Sequence, residues 1–174
     1  SILLLDSVKL QLQSDVPLGI FLSGGVDSSA IVAYASQISN KRIHTYTVEY
    51  VGKKANDPKY ALEVSKRYNT IHTSLLISNK DAEGYLNELL TVLDEPIADS
   101  AIIATYALAK RASLDGVKVL LSGAGGDEIF GGYKRHIKPK KGSRHWVRDT
   151  VLRNNNVLVG SFIKKINPKL HNRM

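Results

Sequence analysis

Between residues 19 and 121 short apolar runs alternate with stretches of helical periodicity, and this alternation restricts the fold more than any other feature of the chain. The apolar runs are 19–22, 43–50, 71–77 and 117–121; helical patterns occupy 27–39, 58–68, 81–93 and 100–114, with a break at Asp94, Glu95 and Pro96. Strands separated by whole helices cannot pair as hairpins. They predict an α/β fold, an open parallel sheet with helices on both faces. In such sheets ligands bind beyond the carboxyl ends of the strands, where the strand order reverses. Ahead of the first strand, the opening SILLLDSVKLQLQ predicts an amphipathic helix, and Pro17 and Gly19 mark the turn out of it.

Two glycine-rich turns fall at such strand ends. The first is Ser23, Gly24, Gly25, Val26, Asp27, Ser28 and Ser29, where an apolar run gives way to a helix. Glycine permits positive φ and close backbone approach, and a helix N-terminus offers unpaired N–H groups at the positive end of a dipole, so the turn suits a phosphate. Ser23, Asp27, Ser28 and Ser29 can cap the helix, donate to phosphate oxygens or help hold a metal. A P-loop is excluded, because no Gly-Lys-Ser/Thr follows. The second turn, Ser122, Gly123, Ala124, Gly125, Gly126, Asp127 and Glu128, follows the run VKVLL. Asp127 and Glu128 can cap a helix, accept from a substrate amine or meet the hydration shell of Mg²⁺.

Composition narrows the function further. With no cysteine, disulfides, thiolate metal sites and a cysteine nucleophile are excluded. The five histidines show no metal-ligand spacing and are expected to be structural or solvated. No run reaches transmembrane length, and the expected location is the cytoplasm with no membrane partner. The net charge of +8 is unevenly placed: residues 1–130 hold twelve Lys and Arg against fifteen Asp and Glu, whereas 131–174 hold twelve against the single Asp149. That basic segment faces a partner domain or solvent. RNA stays open as a partner but is disfavoured, because aromatic interleaving is sparse. The expected division is a nucleotide domain at 1–133 and a basic, partly helical segment at 134–174, part of a second lobe.

The string SGGVDSS resembles the pyrophosphate loop of the ATP pyrophosphatases, which split ATP between the α and β phosphates. Together with DEPIADS at 94–100 and LSGAGGDEIFGGY at 121–133, it is similar to the synthetase domain of glutamine-dependent asparagine synthetases. The resemblance covers roughly residues 1–135 and implies an adenine nucleotide alpha hydrolase-like fold of the ATP pyrophosphatase type. It also implies ATP and Mg²⁺, adenylation of a carboxylate such as aspartate, and displacement of AMP by ammonia. By position it assigns pyrophosphate to Ser23, Gly24, Gly25, Asp27 and Ser28, with Asp27 reaching it through Mg²⁺. Leu22 and the Val48 backbone would hold adenine, and Ser122 and Gly123 would bound the ribose and α-phosphate. Asp94, Glu95 and Asp127 would surround the activated substrate.

Three departures accompany the resemblance. The family carries an acidic residue where this chain has Ala124, which admits a different acceptor, as in lactam or macrolactam formation, or a compensating role for Glu128. Neither the glutaminase domain nor its cysteine is present, so ammonia must come from another domain or subunit. A lysine-bearing segment that touches the phosphates in the family has no match in the basic tail. The chain is therefore expected to be a piece of a longer synthetase, with RNA-base adenylation or an inactive nucleotide-binding module as rival readings and homodimerisation left open.

Overall fold

The computed structural model describes residues 2–52, 57–95, 97 and 99–130. Their order is α1 (Ile2–Gln11), β1 (Leu18–Phe21), α2 (Val26–Ile38), β2 (His44–Tyr50), α3 (Asp57–Arg67), β3 (Ile71–Ile77), α4 (Asn79–Val92), α5 (Ala101–Leu114), β4 (Val119–Leu121) and α6 (Gly126–Phe130). The alternation read from the sequence is thus present, with boundaries shifted by one or two residues. The reading of 134–174, including its helical pattern at 147–166, lies outside the described residues.

All four strands run parallel in the order β3-β2-β1-β4. From β1 the chain steps to β2 and β3 on one side, then returns to place β4 on the other. The strand order therefore reverses between β1 and β4, and both glycine turns sit at the carboxyl ends of these two neighbours. The register Ile20↔Leu121 brings those ends level.

Period-two alternation explains the two cores. Ile20 and Leu22 point to one face, where Val8, Val32, Ala35 and Ala61 of α1, α2 and α3 cover them. Phe21 points to the other, with Tyr46, Val48, Leu108 and Ala112. Gly19 shares that second face, and the Tyr46 ring takes the place a side chain would need: a Cβ at Gly19 would lie 3.0 Å from Tyr46 Cε2. Beneath α3 the sheet is polar, since Thr45, Thr47, Ser65 and Thr70 are all buried. They stay there because their hydroxyls bond one another or backbone oxygens.

Two local devices fix α4 and tie it to α5, which lines the cleft described below. Ser78 caps α4 reciprocally with Asp81, the Asp81 N–H donating to Ser78 Oγ and the Ser78 N–H to Asp81 Oδ2. Hydrogen bonds from Ser78 hold the Asp81 carboxyl below the usual range. Between α4 and α5, Glu88 accepts from Lys110 Nζ at 2.6 Å and from Tyr106 Oη at 2.7 Å. Helix α1 forms as expected but is not cleanly amphipathic. Val8 is buried and Leu4 and Leu12 pack on the core, yet Ile2, Leu3 and Leu10 are exposed.

Candidate functional site

The first glycine turn is held open in a shape that could cradle a phosphate. Ser23 Oγ accepts from the Gly25 N–H at 3.2 Å, and Ser28 Oγ accepts from the Ser23 N–H at 3.2 Å and donates to Gly25 O. The serines therefore brace the turn instead of capping the helix. Gly25 is the N-cap of α2 and supplies no side-chain cap, so none of the four candidate caps blocks the first-turn N–H groups. Gly24 has φ of +79° and lies against α3: a Cβ there would sit 2.6 Å from Asp57 O and 2.7 Å from Ala61 N. Both requirements, left-handed backbone and close approach, leave room only for glycine.

The second turn closes on the first. A Cβ on Gly123 would lie 3.0 Å from the Ser28 nitrogen, and one on Gly126 would lie 2.4 Å from the Asp27 carboxyl carbon. The Asp27 side chain thus rests on the backbone of the β4–α6 turn, at the mouth of the α2 N-terminus. Within that turn Ser122 Oγ accepts from the Ala124 N–H at 2.9 Å, and Gly125 is left-handed, with φ of +93°.

Beside the two turns opens a cleft of about 780 Å³ that includes Phe21, Leu22, Ser23, Val48, Leu108 and Ser122 in its lining. Its floor is a stretch of unpaired strand edge. β1 ends at Phe21, and the last backbone bond from this side is Leu22 N–H to Tyr46 O at 2.8 Å. Alternate residues of a parallel strand bond to opposite neighbours, so Val48, two residues beyond Tyr46, presents its N–H and C=O toward the space that β1 has vacated. The Leu22 carbonyl is taken instead by the Thr47 hydroxyl. An apolar slot ending in an exposed backbone donor and acceptor is what a flat heteroaromatic base requires.

The Asparagine synthase family model matches residues 1–172. The chain belongs to this family. The match runs through the basic segment, beyond residue 135 where the motif resemblance stops. Among curated family members, the chain is 38% identical over 136 residues to a Putative asparagine synthetase [glutamine-hydrolyzing] 2 of Methanocaldococcus jannaschii, covering 78% of this chain and 26% of that protein. It is 39% identical over 137 residues to Asparagine synthetase [glutamine-hydrolyzing] 1 of Bacillus subtilis, covering 77% and 21%. The chain therefore spans about a quarter or less of the length of these relatives. Among solved structures, a glutamine-dependent NAD+ synthetase from Acinetobacter baumannii, in complex with ADP, superposes with a TM-score of 0.53 at 21% identity, over 75% of this chain and 26% of that one. An NH3-dependent NAD synthetase from Campylobacter jejuni superposes with a TM-score of 0.50 at 14% identity, over 76% and 58%. These likenesses give the fold, the adenine nucleotide alpha hydrolase-like type.

Of the residues singled out in this asparagine synthase family chain, the structure gathers Leu22, Ser23, Val48 and Ser122 in the cleft wall. Gly24, Gly25, Asp27, Ser28 and Gly123 lie in the two apposed turns. Asp127 and Glu128 sit in the first turn of the short α6, Glu128 exposed. Asp94 and Glu95 are exposed in the α4–α5 connection and are not part of the cleft wall. Segment 94–100 instead touches the cleft through its continuation, because Ala101, Ala104 and Thr105 of α5 line it. Among the described residues no group of three His, Asp or Glu side chains could hold a metal, and no helix is long and apolar enough to cross a membrane.

Residues that motif reading passed over are Thr47, Glu49, Lys59, His72 and Ser74. They enter the wall from strand interiors and from α3, and only the register of β2 and β3 reveals them. His72 Nδ1 lies 2.9 Å from Thr45 Oγ1, while its Nε2 is buried with no hydrogen-bond partner among the described residues. Burial lowers its pKa from the ordinary 6.5, and the Glu49 carboxylate only partly offsets this. The unfolded chain then binds a proton more readily than the folded one, so stability rises with pH in this window. The contribution of neutral His72 is complete above pH 6.5 and is lost as pH falls below it, through the lower folded value. Urea midpoints measured at about pH 7.5 and 5.5 should fall on acidification, and the fall should be smaller in His72→Asn.

Proposed function

We propose that the chain is the adenylating part of an ATP-dependent, amide-forming synthetase. The observation that carries this is the apposition of the two glycine turns around the α2 N-terminus, beside an apolar cleft with a free backbone edge. The polyphosphate lies on the N–H groups of the first turn and the base enters the slot of Leu22 and Val48. Gripping the β and γ phosphates there leaves the α-phosphorus open. A carboxylate oxygen, that of aspartate by the family resemblance, attacks it; the bond to the bridging oxygen breaks, and pyrophosphate leaves. Ammonia then adds to the acyl carbon of the adenylate, loses a proton, and expels AMP to give the amide. Ammonia is supplied by a glutaminase domain or subunit outside this chain, consistent with the glutamine-hydrolyzing names of its relatives.

Catalysis in this scheme rests on positioning and on oriented dipoles, not on a covalent intermediate with the protein. Mg²⁺ fits the donors present. Asp27 places one carboxylate beside the phosphate cradle, and Mg²⁺ uses one or two carboxylates together with phosphate oxygens and water instead of an all-protein cage. When bound it would neutralise charge that develops on the departing pyrophosphate. On this reading residues 134–174 belong to a second lobe.

Ala124 favours a second reading of the acceptor. It is exposed in the β4–α6 turn and offers neither a base nor a carboxylate to orient an incoming amine. An acceptor other than ammonia, as in lactam formation, would leave the adenylating half unchanged. Both readings predict AMP, whereas ordinary phosphoryl transfer yields ADP. Mass-spectrometric quantitation of AMP and ADP, with Mg·ATP and ammonium, with and without aspartate, is the test. AMP that depends on aspartate supports asparagine formation. AMP that forms only with other carboxylates supports the second reading, and ADP as sole product overturns both.

A further inference from the structure

The wall of the cleft that lies under α3 is polar and carries one carboxylate on β2, that of Glu49. Glu49 follows Val48 directly, on the opposite face of β2, and Ser74 and His72 accompany it on β3. Ser74 Oγ donates to Glu49 Oε1 at 2.7 Å, which commits one carboxylate oxygen and leaves Oε2. The tautomer of His72 follows from a chain of hydroxyls. Thr70 Oγ1 donates its only proton to Ser65 Oγ at 3.0 Å. The 2.8 Å contact between Thr45 and Thr70 must then take the Thr45 proton. Thr45 Oγ1 has none left for His72, so the Nδ1–H of the imidazole is the donor in their 2.9 Å contact. His72 Nε2 is therefore a lone pair, but it is buried and does not face the cleft. Lys59, at the start of α3, is the one cationic side chain among the residues that line the cleft.

A carboxylate oxygen left free beside a slot for a flat base favours a base that carries a donor at that edge. We propose that Glu49 is a base-reading residue of the cleft: its Oε2 accepts a hydrogen bond from the exocyclic amine of adenine and so selects ATP over GTP. This rests on the ATP reading given above and adds the basis of purine choice. Adenine offers an N–H at that position, whereas guanine offers a carbonyl oxygen, which would place acceptor against acceptor. A single free carboxylate oxygen also suits adenine, whose ring nitrogens beside the amine are acceptors and would repel a second one. The Ser74 hydroxyl holds the carboxylate in place, as a positioning residue.

The test is a cycle between side chain and ligand group on the full chain. Dissociation constants are measured for Mg complexes of ATP, of purine riboside triphosphate, which lacks the amine, and of GTP. The proteins are the native chain, Glu49→Ala and Glu49→Gln, each checked for an unchanged melting temperature. The native chain should prefer ATP to purine riboside triphosphate by about 10- to 100-fold, the range for a hydrogen bond to a charged group. In Glu49→Ala that preference should shrink about tenfold, and GTP should gain relative to ATP; Glu49→Gln, which keeps a carbonyl acceptor, should restore much of it. ATP binding with the same preference in all three proteins would overturn the role of Glu49 alone. Failure of the native chain to bind any of the three nucleotides would overturn the nucleotide reading together with it.

Discussion

Replacing Asp27 with alanine is expected to weaken Mg·ATP binding roughly 100-fold, about 2.7 kcal/mol, while leaving the melting temperature nearly unchanged. The carboxylate stands in the first turn of α2, against the backbone of Gly126, at the mouth of the phosphate cradle. Its removal takes away the acidic group that the first turn places to meet a cation on the polyphosphate. The serine braces that shape the turn are untouched. Calorimetric titration with Mg·ATP, repeated with ATP in excess EDTA, separates the two contributions. The variant should lose the advantage that Mg²⁺ confers and retain the weak metal-free binding. Equal Mg·ATP affinity in the variant and native chains would remove Asp27 from the site, and with it the assignment of the loop.

Gly24→Ala is expected to be the most damaging glycine-to-alanine substitution among the described residues, costing roughly 3–5 kcal/mol of a typical stability of 5–15. Two penalties combine. The left-handed backbone at φ of +79° costs a non-glycine residue about 1–2 kcal/mol. The added Cβ would also meet Asp57 O at 2.6 Å, Ala61 N at 2.7 Å and Tyr60 Cβ at 2.8 Å, atoms of α3 that cannot swing aside. Gly52→Ala provides the contrast, because Gly52 has φ of +77° and no described residue comes within 4 Å of its would-be Cβ. It should lose only about 1 kcal/mol, the conformational part. Urea midpoints of the two variants measure the difference; equal losses would mean that the loop does not pack on α3.

The layered sheet was legible because each element announced itself locally. Runs such as 71–77 have strand composition, and 81–93 has helical periodicity, which the structure extends back to Asn79. The glycine turns were legible for the same reason, since their conformational demand is written in consecutive residues. Glu49, Ser74 and His72 were not, because what unites them is register between β2 and β3, and nothing in either strand alone records which residue lies beside which. The position of Asp94 and Glu95 was also hidden. The resemblance assigns them to the substrate; the structure shows them exposed in the α4–α5 connection, with α5 lining the cleft. The missing cap on α2 is a further case. Four side chains suited to capping surround that terminus, and tertiary bonding to the turn draws Ser23 and Ser28 elsewhere.

The strand order carries a consequence for how the site is assembled in time. Leu18 pairs with Val119, so the two halves of the phosphate cradle are separated by about a hundred residues of chain. Everything between them, β2 through α5, can collapse and pair with near neighbours first. The β1–β4 ladder must wait for the longest loop to close. A nascent chain emerging from the ribosome would thus hold a braced but one-sided turn until β4 arrives, and the meeting of the two turns reports the docking of β4.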